Sequence, residues 1–177
     1  MKKIVYYVSV TLDGFISGEN DDISQFIMEG QGINKYKSDL EKFKTTIMGR
    51  KTYEFGYKYG LEPGQPAYPN MRHYIFSNSM KINNLSEHVS IEKIDIESVN
   101  KIISQSETDI YLCGGGEFAG WLLKQGLIDQ LKLKLNPVVI GSGIKLFGSY
   151  TTSQGWNLID SETFPDGLQI LTYNKKD

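Results

Sequence analysis

Three short segments combine glycine, cations or small polar side chains in patterns that suit an anionic ligand. The most specific is Gly114-Gly115-Gly116, which follows a predicted strand at residues 109–113 and precedes a helical pattern. Glycines at such a junction let backbone N–H groups approach a ligand, and the N-terminus of the following helix favours negative charge. A glycine-rich turn needed only for packing is the alternative, but a single glycine would suffice for it. We therefore favour a phosphate site.

The second segment is Gly49-Arg50-Lys51-Thr52, which follows the short apolar run that ends at Met48. Arginine and lysine pair with phosphate, and the threonine hydroxyl can donate a hydrogen bond to it. A solvated charged turn is the alternative, and it is the commoner fate of an Arg-Lys pair.

The third segment is Ser77-Asn78-Ser79, at the end of a strand that begins at His73. Its side chains could bind a ribose, a 2′-phosphate or an adenine edge, or simply form a turn. All three segments follow predicted strands, and ligands of open α/β sheets bind outside the carboxyl ends of the strands. Together they predict an extended polyanionic ligand such as a dinucleotide. A Rossmann site is not indicated, because no second βαβ half follows the late glycine motif.

Alternating strands and helices must position these segments. Residues 4–10 form a nearly continuous apolar run, which is typical of a strand buried on both faces. Tyr36, Leu40 and Phe43 have the spacing of an amphipathic helix. The remaining patterns predict strands near 45–48, 73–77, 89–94, 109–113 and 131–135, helices near 51–57, 95–103 and 116–125, and a hairpin of 156–164 with 168–173. The order predicts one α/β domain over residues 1–177, with a mostly parallel mixed sheet, an antiparallel C-terminal edge and helices on both faces.

Two further segments carry structural predictions. Residues 17–34 are polar and glycine-rich, and such a long connection is often functional. A short helical piece is predicted within it, around Phe26. In residues 131–136, leucines alternate with Lys132, Lys134 and Asn136, which predicts a half-exposed strand. Cys113 is expected in the core, and His73 and His88 are expected to have no role.

Composition excludes several function classes. The 177 residues contain 19 Lys and Arg and 21 Asp and Glu, so the net charge of −2 does not suit a nucleic-acid binder. One cysteine allows no internal disulfide and no Cys/His zinc site, so no metal is expected. No apolar run approaches the roughly 18 residues of a membrane span, and Asp13-Gly14 interrupts the only candidate leader. We therefore expect a soluble cytoplasmic protein.

The same segments resemble a known superfamily. Residues 47–54 resemble the dihydrofolate reductase segment that binds the NADPH phosphates, residues 77–79 its adenosine-ribose segment, and residues 112–118 its glycine motif. Residues 9–16 and 135–143 look more like the reductase (C-terminal) domain of the bifunctional riboflavin-biosynthesis deaminase/reductase. The resemblance covers essentially the whole chain in order. The chain is thus identified as a small stand-alone bacterial member of the dihydrofolate reductase-like, RibD C-terminal domain family.

This resemblance implies a three-layer dihydrofolate reductase-like fold and hydride transfer from NADPH to a C=N or C=O of a pyrimidine- or pterin-like substrate. It implies a small-molecule substrate near Asp13, Glu29, Tyr36 and Pro137, with Asp13 and Glu29 as candidate proton donors and no catalytic residue assigned. It also implies a homodimer. The implied cofactor-binding residues are Gly49, Arg50, Lys51, Thr52, Ser77, Asn78, Gly114, Gly115, Gly116 and Glu117.

Two departures from the family pattern keep the substrate open. Dihydrofolate reductases hold a pterin-binding acid about 15 residues before the motif methionine, and that position here is Ile33, with Glu29 and Asp39 the nearest acids. Pyrimidine reductases usually have a glutamate where this chain has Gly114. The alternatives are therefore a 5-amino-6-(5-phosphoribosylamino)uracil reductase of riboflavin biosynthesis and a nucleotide-binding protein that has lost catalysis.

Overall fold

A computed structural model describes residues 2–176, and ten strands and four α-helices lie within that range. The strands are β1 (Ile4–Thr11), β2 (Phe15–Ser17), β3 (Thr45–Gly49), β4 (Arg72–Phe76), β5 (Val89–Glu92), β6 (Ile110–Gly114), β7 (Gln130–Asn136), β8 (Ile144–Lys145), β9 (Trp156–Thr163) and β10 (Gln169–Lys175). The helices are α1 (Gln31–Leu40), α2 (Arg50–Phe55), α3 (Ile96–Gln105) and α4 (Gly116–Lys124), with short 3-10 helices at Glu19–Asp21 and Gly56–Tyr59.

Eight strands form one mixed sheet in the order β5-β4-β3-β6-β1-β7-β10-β9. The first six are parallel to one another, and β10 runs antiparallel to both β7 and β9. The apolar run in β1 places that strand near the centre, where Ile4 and Tyr7 are both fully buried. The predicted parallel sheet with an antiparallel C-terminal edge is confirmed.

Helices cover both faces of this sheet, as the predicted three-layer fold requires. Apolar side chains of α3 and α4 pack on one face, against Tyr6, Ile47 and Leu112. On the other face, α1 packs against Val5 and Tyr7, and the nearby α2 inserts Tyr53 beside Met48 and Ile75. Each helix buries one apolar stripe, so the periodicity of the sequence fixes which side of the helix meets the sheet.

The carboxyl ends of five parallel strands lie along one edge. In the ladder, Gly49 is opposite Phe76, Met48 is opposite Gly114, and Thr11 is opposite Asn136. Because neighbouring strands are about 4.8 Å apart, the ends of β4, β3, β6, β1 and β7 span roughly 19 Å. This edge therefore collects all three predicted ligand segments in one row.

One sequence prediction is wrong in residues 2–40. No α-helix forms around Phe26; a 3-10 helix lies at Glu19–Asp21 instead, and the following residues form turns. Ile27 N–H donates to the Asn136 side chain at 2.9 Å, so the loop is fixed by the sheet rather than by its own helix. A small unpredicted sheet also forms where Phe15 pairs with Lys145 and Ser17 with Ile144.

The prediction of a half-exposed β7 is also wrong. Lys134 and Asn136 are buried, because α1 and the loop before it cover the strand face that the sequence pattern assigned to solvent. His73 is fully buried as well, where a neutral imidazole stacks on Tyr68. In both places, polar side chains line the interior of the α1 layer, and residue polarity alone could not reveal it.

Candidate functional site

Two helices begin at the carboxyl edge directly after their strands. Helix α2 starts at Arg50 after β3, and α4 starts at Gly116 after β6. Both N-cap residues are glycines, Gly49 and Gly115, and neither helix start receives a side-chain cap. The unpaired backbone N–H groups and the partial positive charge of each first turn therefore face the edge where the strands end.

The two glycine turns touch one another. A Cβ atom added at Gly115 would lie 2.8 Å from Thr52 Oγ1, and one at Gly49 would lie 3.2 Å from Phe118 Cβ. Gly114 has φ of +134°, a conformation that other residues rarely adopt, and its peptide bond to Gly115 is cis. The structure thus brings Gly49, Thr52 and Gly115 together around one narrow space, in which any side chain in place of Gly115 would meet the threonine.

Gly116 and Glu117 have a visible packing role. A Cβ atom on Gly116 would overlap the Lys145 carbonyl oxygen, so this glycine permits close approach of the chain that follows β8. The Glu117 carboxylate accepts hydrogen bonds from Ser149 N–H at 2.8 Å and from Ser149 Oγ at 2.9 Å. Both residues therefore hold residues 145–149 against the start of α4, whatever else they contact.

The adenosine end of the predicted site is shaped by local hydrogen bonds. Ser77 Oγ accepts from Met80 N–H at 3.0 Å, and Asn78 Oδ1 accepts from Ile94 N–H at 3.1 Å. Arg50 donates to Glu54 Oε1 at 2.8 Å and to Ser79 Oγ at 3.3 Å. The guanidinium therefore bridges the turns after β3 and β4, while Lys51 remains exposed beside it.

The predicted substrate residues divide into two groups. Glu29 is exposed on the loop before α1, and Pro137 is exposed directly after β7. Asp13 accepts from the Thr11 hydroxyl at 2.6 Å and from Gly141 N–H at 2.8 Å, and these hydrogen bonds lower its pKa. A carboxylate held ionised in this way joins the turn after β1 to residues 140–141, and it is a poor proton donor.

Tyr36 belongs to a buried polar cluster between α1 and the sheet. Its hydroxyl lies 2.7 Å from the Tyr111 hydroxyl, and its ring makes an edge contact with Tyr7. The Tyr68 hydroxyl lies 3.5 Å from Cys113 Sγ in the same layer. Burial raises the pKa values of these phenols, so they stay neutral and act as hydrogen-bond groups.

Lys134 completes this cluster, and sequence reasoning missed it. Its Nζ lies 3.7 Å from the centroid of the Tyr36 ring, which is a cation–π distance. Burial lowers the pKa of this ammonium group to about 8. No local signal identifies it, because the alternation in β7 marks a polar face without showing whether solvent or a helix covers that face.

Asp39, the acid nearest in sequence to the position of the pterin-binding carboxylate, is already engaged. It is buried and contacts the amines of Lys132 at 2.6 Å, Lys35 at 2.7 Å and Lys42 at 2.8 Å. Burial opposes its ionisation, but the three ammonium groups outweigh burial and hold its pKa well below the usual range. This carboxylate therefore fixes α1 to β7 and is not free for a ligand.

A surface depression of about 530 Å³ lies away from this edge, between Lys2 and the carboxyl-terminal half of α3. Lys2 is the one charged side chain that lines it, so we place the site at the carboxyl edge of the sheet on its chemistry. Across the described residues 2–176, no group of three or more His, Cys, Asp or Glu side chains could hold a metal ion. Nor does any helix in that range have the length and apolar character needed to cross a membrane.

Comparison with known proteins gives a consistent result. Residues 2–170 match the family model described as the RibD C-terminal domain. The Bacillus subtilis protein YwjB is 31% identical over 171 residues, which is 96% of this chain and 96% of the relative. A solved structure of a putative riboflavin biosynthesis protein from Shewanella sp. PV-4 is similar over 100% of both chains, with a TM-score of 0.83 and 23% identity.

A second solved structure is a Thermotoga maritima diaminohydroxyphosphoribosylaminopyrimidine deaminase/5-amino-6-(5-phosphoribosylamino)uracil reductase. It has a TM-score of 0.74 and 15% identity, and the match covers 99% of this chain but 57% of that chain. At these identities, both structural matches show a shared fold.

Proposed function

The chain belongs to the RibD C-terminal domain family, and from that premise we propose that it is an NADPH-dependent reductase that acts on a C=N or C=O group of a small heterocycle. One observation carries the proposal. Two uncapped helix starts and the Arg50 guanidinium converge where β3, β4 and β6 end. That row of donors suits the phosphates of a dinucleotide.

The residues present fit such a cofactor. Gly49 and Gly115 leave the two turns without side chains, so backbone N–H groups and Thr52 Oγ1 can reach a pyrophosphate. Arg50 and Lys51 supply cations at the β4 side, where a 2′-phosphate would distinguish NADPH from NADH. Ser77 and Asn78 shape the adjacent turn for the adenosine ribose.

NADPH would supply the hydride, and residues of this chain would bind and orient both the cofactor and the substrate. The glycine turns would orient the nicotinamide end near Gly114, beside β1 and β6. The substrate would lie between α1 and the ends of β1 and β7, under the loop of residues 17–34. Exposed apolar side chains rim this opening at Leu12, Met28 and Val139, and they would exclude water from a bound heterocycle.

We propose a pyrimidine-like substrate rather than a pterin. Asp39 is engaged by three lysines, and the position 15 residues before Met48 is the apolar Ile33. The specific alternative is 5-amino-6-(5-phosphoribosylamino)uracil, the substrate named for the reductase of the Thermotoga maritima protein. Gly114 in place of a glutamate favours a related heterocycle instead, or a binding protein without catalysis. We also propose a cytoplasmic location and no nucleic-acid partner.

Titration with NADPH and with NADH tests the cofactor. Binding can be followed by quenching of Trp121 and Trp156 fluorescence. We expect micromolar NADPH affinity, weaker NADH binding, and roughly a tenfold or greater loss of NADPH affinity in Arg50→Ala, because a charge-assisted contact is lost. Arg72→Ala is the matched control, since Arg72 lies at the opposite end of β4.

Oxidation of NADPH in the presence of pyrimidine and pterin substrates then separates a reductase from a silent binder. If NADPH binds and no substrate oxidises it, the binding-protein alternative stands. If neither cofactor binds at about millimolar concentration, the proposal is wrong, and the glycine turns serve packing alone.

A further inference from the structure

Lys134 is a buried cation without a partner. The residue is 8% exposed, and no hydrogen bond or ion pair joins its amine to any group in residues 2–176. Lys35 and Lys132, on the same side of the sheet, both pair with Asp39. Lysines this buried are seldom found without a counter-charge, so Lys134 differs from both neighbours.

The amine faces an opening rather than a sealed core. In the described part of the chain, Thr46 Oγ1 is the one fully enclosed side-chain polar atom without a partner, so the Lys134 amine still reaches solvent. The Tyr36 ring lies against it at 3.7 Å. The Tyr36 ring therefore contacts the Lys134 ammonium group on one side, while the three N–H donors of that group have no acceptor within the described residues.

Its position in the sheet places this opening in the proposed substrate cleft. Lys134 is opposite Ser9 of β1 and two residues before the carboxyl end of β7. Cys113, which lies near enough to influence the pKa of the Lys134 amine, directly precedes Gly114 of the glycine turn. The amine thus lies in the layer between α1 and the sheet, close to where the glycine turn ends.

We propose that Lys134 is the catalytic proton donor of this cleft, binding the heteroatom of the substrate C=N or C=O group and protonating it during reduction. The inference rests on the proposed function and supplies an acid in place of Asp13, whose carboxylate is held ionised by its hydrogen bonds. The substrate class follows as a planar heterocycle with an acceptor atom that can lie beside Tyr36 and Lys134.

The substrate carbon receives a hydride from a reduced nicotinamide dinucleotide, which is oxidised, and a C–H bond forms. The π electron pair moves to the nitrogen or oxygen, which forms a new bond to a proton as an N–H bond of the Lys134 ammonium breaks. The neutral amine then recovers a proton from solvent through the opening.

The surroundings tune this amine without a carboxylate. Burial lowers its pKa to about 8, so near neutral pH it is mostly protonated and still able to release a proton. The nearby acids Asp39 and Glu162 pair with other lysines. The titratable and charged groups around it are Tyr36 of α1, Tyr7 of β1, Tyr111 and Cys113 of β6, Lys132 of β7, and Tyr68.

A structural readout tests the free amine without turnover. Lysines of the folded protein are methylated with ¹³C-formaldehyde, and each dimethylamine resonance is followed with pH. The Lys134 resonance is identified by its absence in Lys134→Arg, and exposed Lys124 is the control. We expect a midpoint near pH 8 for Lys134, below the value of about 10.4 for a lysine in a model peptide. An unreactive Lys134, or a midpoint at the model-peptide value, would overturn the proposal.

Kinetics with a substrate found by NADPH oxidation test the proton transfer. Lys134→Met should lower kcat at least 100-fold and lose the fall in kcat above about pH 8, while the NADPH Kd stays within threefold. Lys134→Arg keeps the positive charge but does not release a proton, so it should also lose most of kcat. Lys124→Met is the control and should match wild type.

Three outcomes separate this inference from the proposed function. Normal NADPH affinity with a kcat defect confined to Lys134 variants supports both. Turnover that survives in Lys134→Met within threefold, with the pH profile unchanged, overturns the role of Lys134 and leaves the reductase intact. Failure of wild-type protein to bind NADPH, or to reduce any substrate while binding it, overturns both.

Discussion

His73 shows how a single buried side chain can make stability depend on pH. Its Nε2 accepts from Tyr68 N–H at 3.1 Å, which leaves Nδ1–H to donate to the Met71 carbonyl at 3.1 Å. Burial lowers its pKa to about 4, whereas an unfolded histidine titrates near 6.5. Between these values the unfolded chain binds the proton and the folded chain does not. The contribution of the neutral His73 to stability is therefore complete above about pH 6.5, and it is lost as the pH falls towards 4.

This linkage predicts a loss of about 2 kcal/mol in the free energy of unfolding between about pH 7.5 and about pH 5. Urea denaturation measures it. His73→Gln should be less stable at neutral pH but should lose most of this difference, while His88→Gln, at an exposed site, should keep it. An unchanged pH difference in His73→Gln would show that another group causes the wild-type behaviour.

At the scale of elements, Asp39 fixes α1 to β7. Its carboxylate joins Lys35 and Lys42 near the helix to Lys132 on the strand, and it is 3% exposed. Asp39→Asn should destabilise the fold by about 3 kcal/mol, because it leaves the facing ammonium groups without a counter-charge. Urea unfolding checks this value, with the exposed neighbour Glu41→Gln as control.

Adding Lys132→Met to Asp39→Asn should recover part of the loss, since it removes one of the uncompensated cations. If the double variant is no more stable than Asp39→Asn, the ion cluster does not account for the stability of the contact between α1 and β7.

The contact between α1 and β7 also explains what could and could not be predicted from the sequence. The central strands were predictable because parallel strands buried on both faces are apolar throughout, and the three strand-end segments could be found because each is local. Lys134 was not, because alternation in β7 reports only that its two faces differ. Whether the polar face meets solvent or a helix depends on Asp39, which lies 93 residues from Lys132. The helix predicted around Phe26 does not form for a similar reason, because a distant residue, Asn136, fixes that loop.

At the scale of the whole molecule, one sheet edge remains uncovered. Strand β9 is the last in the sheet, and its Leu158 and Ile159 are 54% and 53% exposed. A register shift on β10 between Thr172 and Tyr173 leaves Ile159 outside the pairing. Exposed apolar side chains on an edge strand promote pairing with another chain. We propose that a second copy covers this edge and forms the homodimer.

Light scattering coupled to size exclusion should therefore give twice the 20.0 kDa chain mass for wild type. The double variant Leu158→Lys, Ile159→Lys should elute as a monomer, because charged residues on an edge strand oppose strand addition. Ile96→Lys, an equally drastic change of an exposed apolar residue on α3, should leave the dimer intact. A wild-type monomer would refute the dimer, and a dimer that survives the β9 changes would place its interface on another surface.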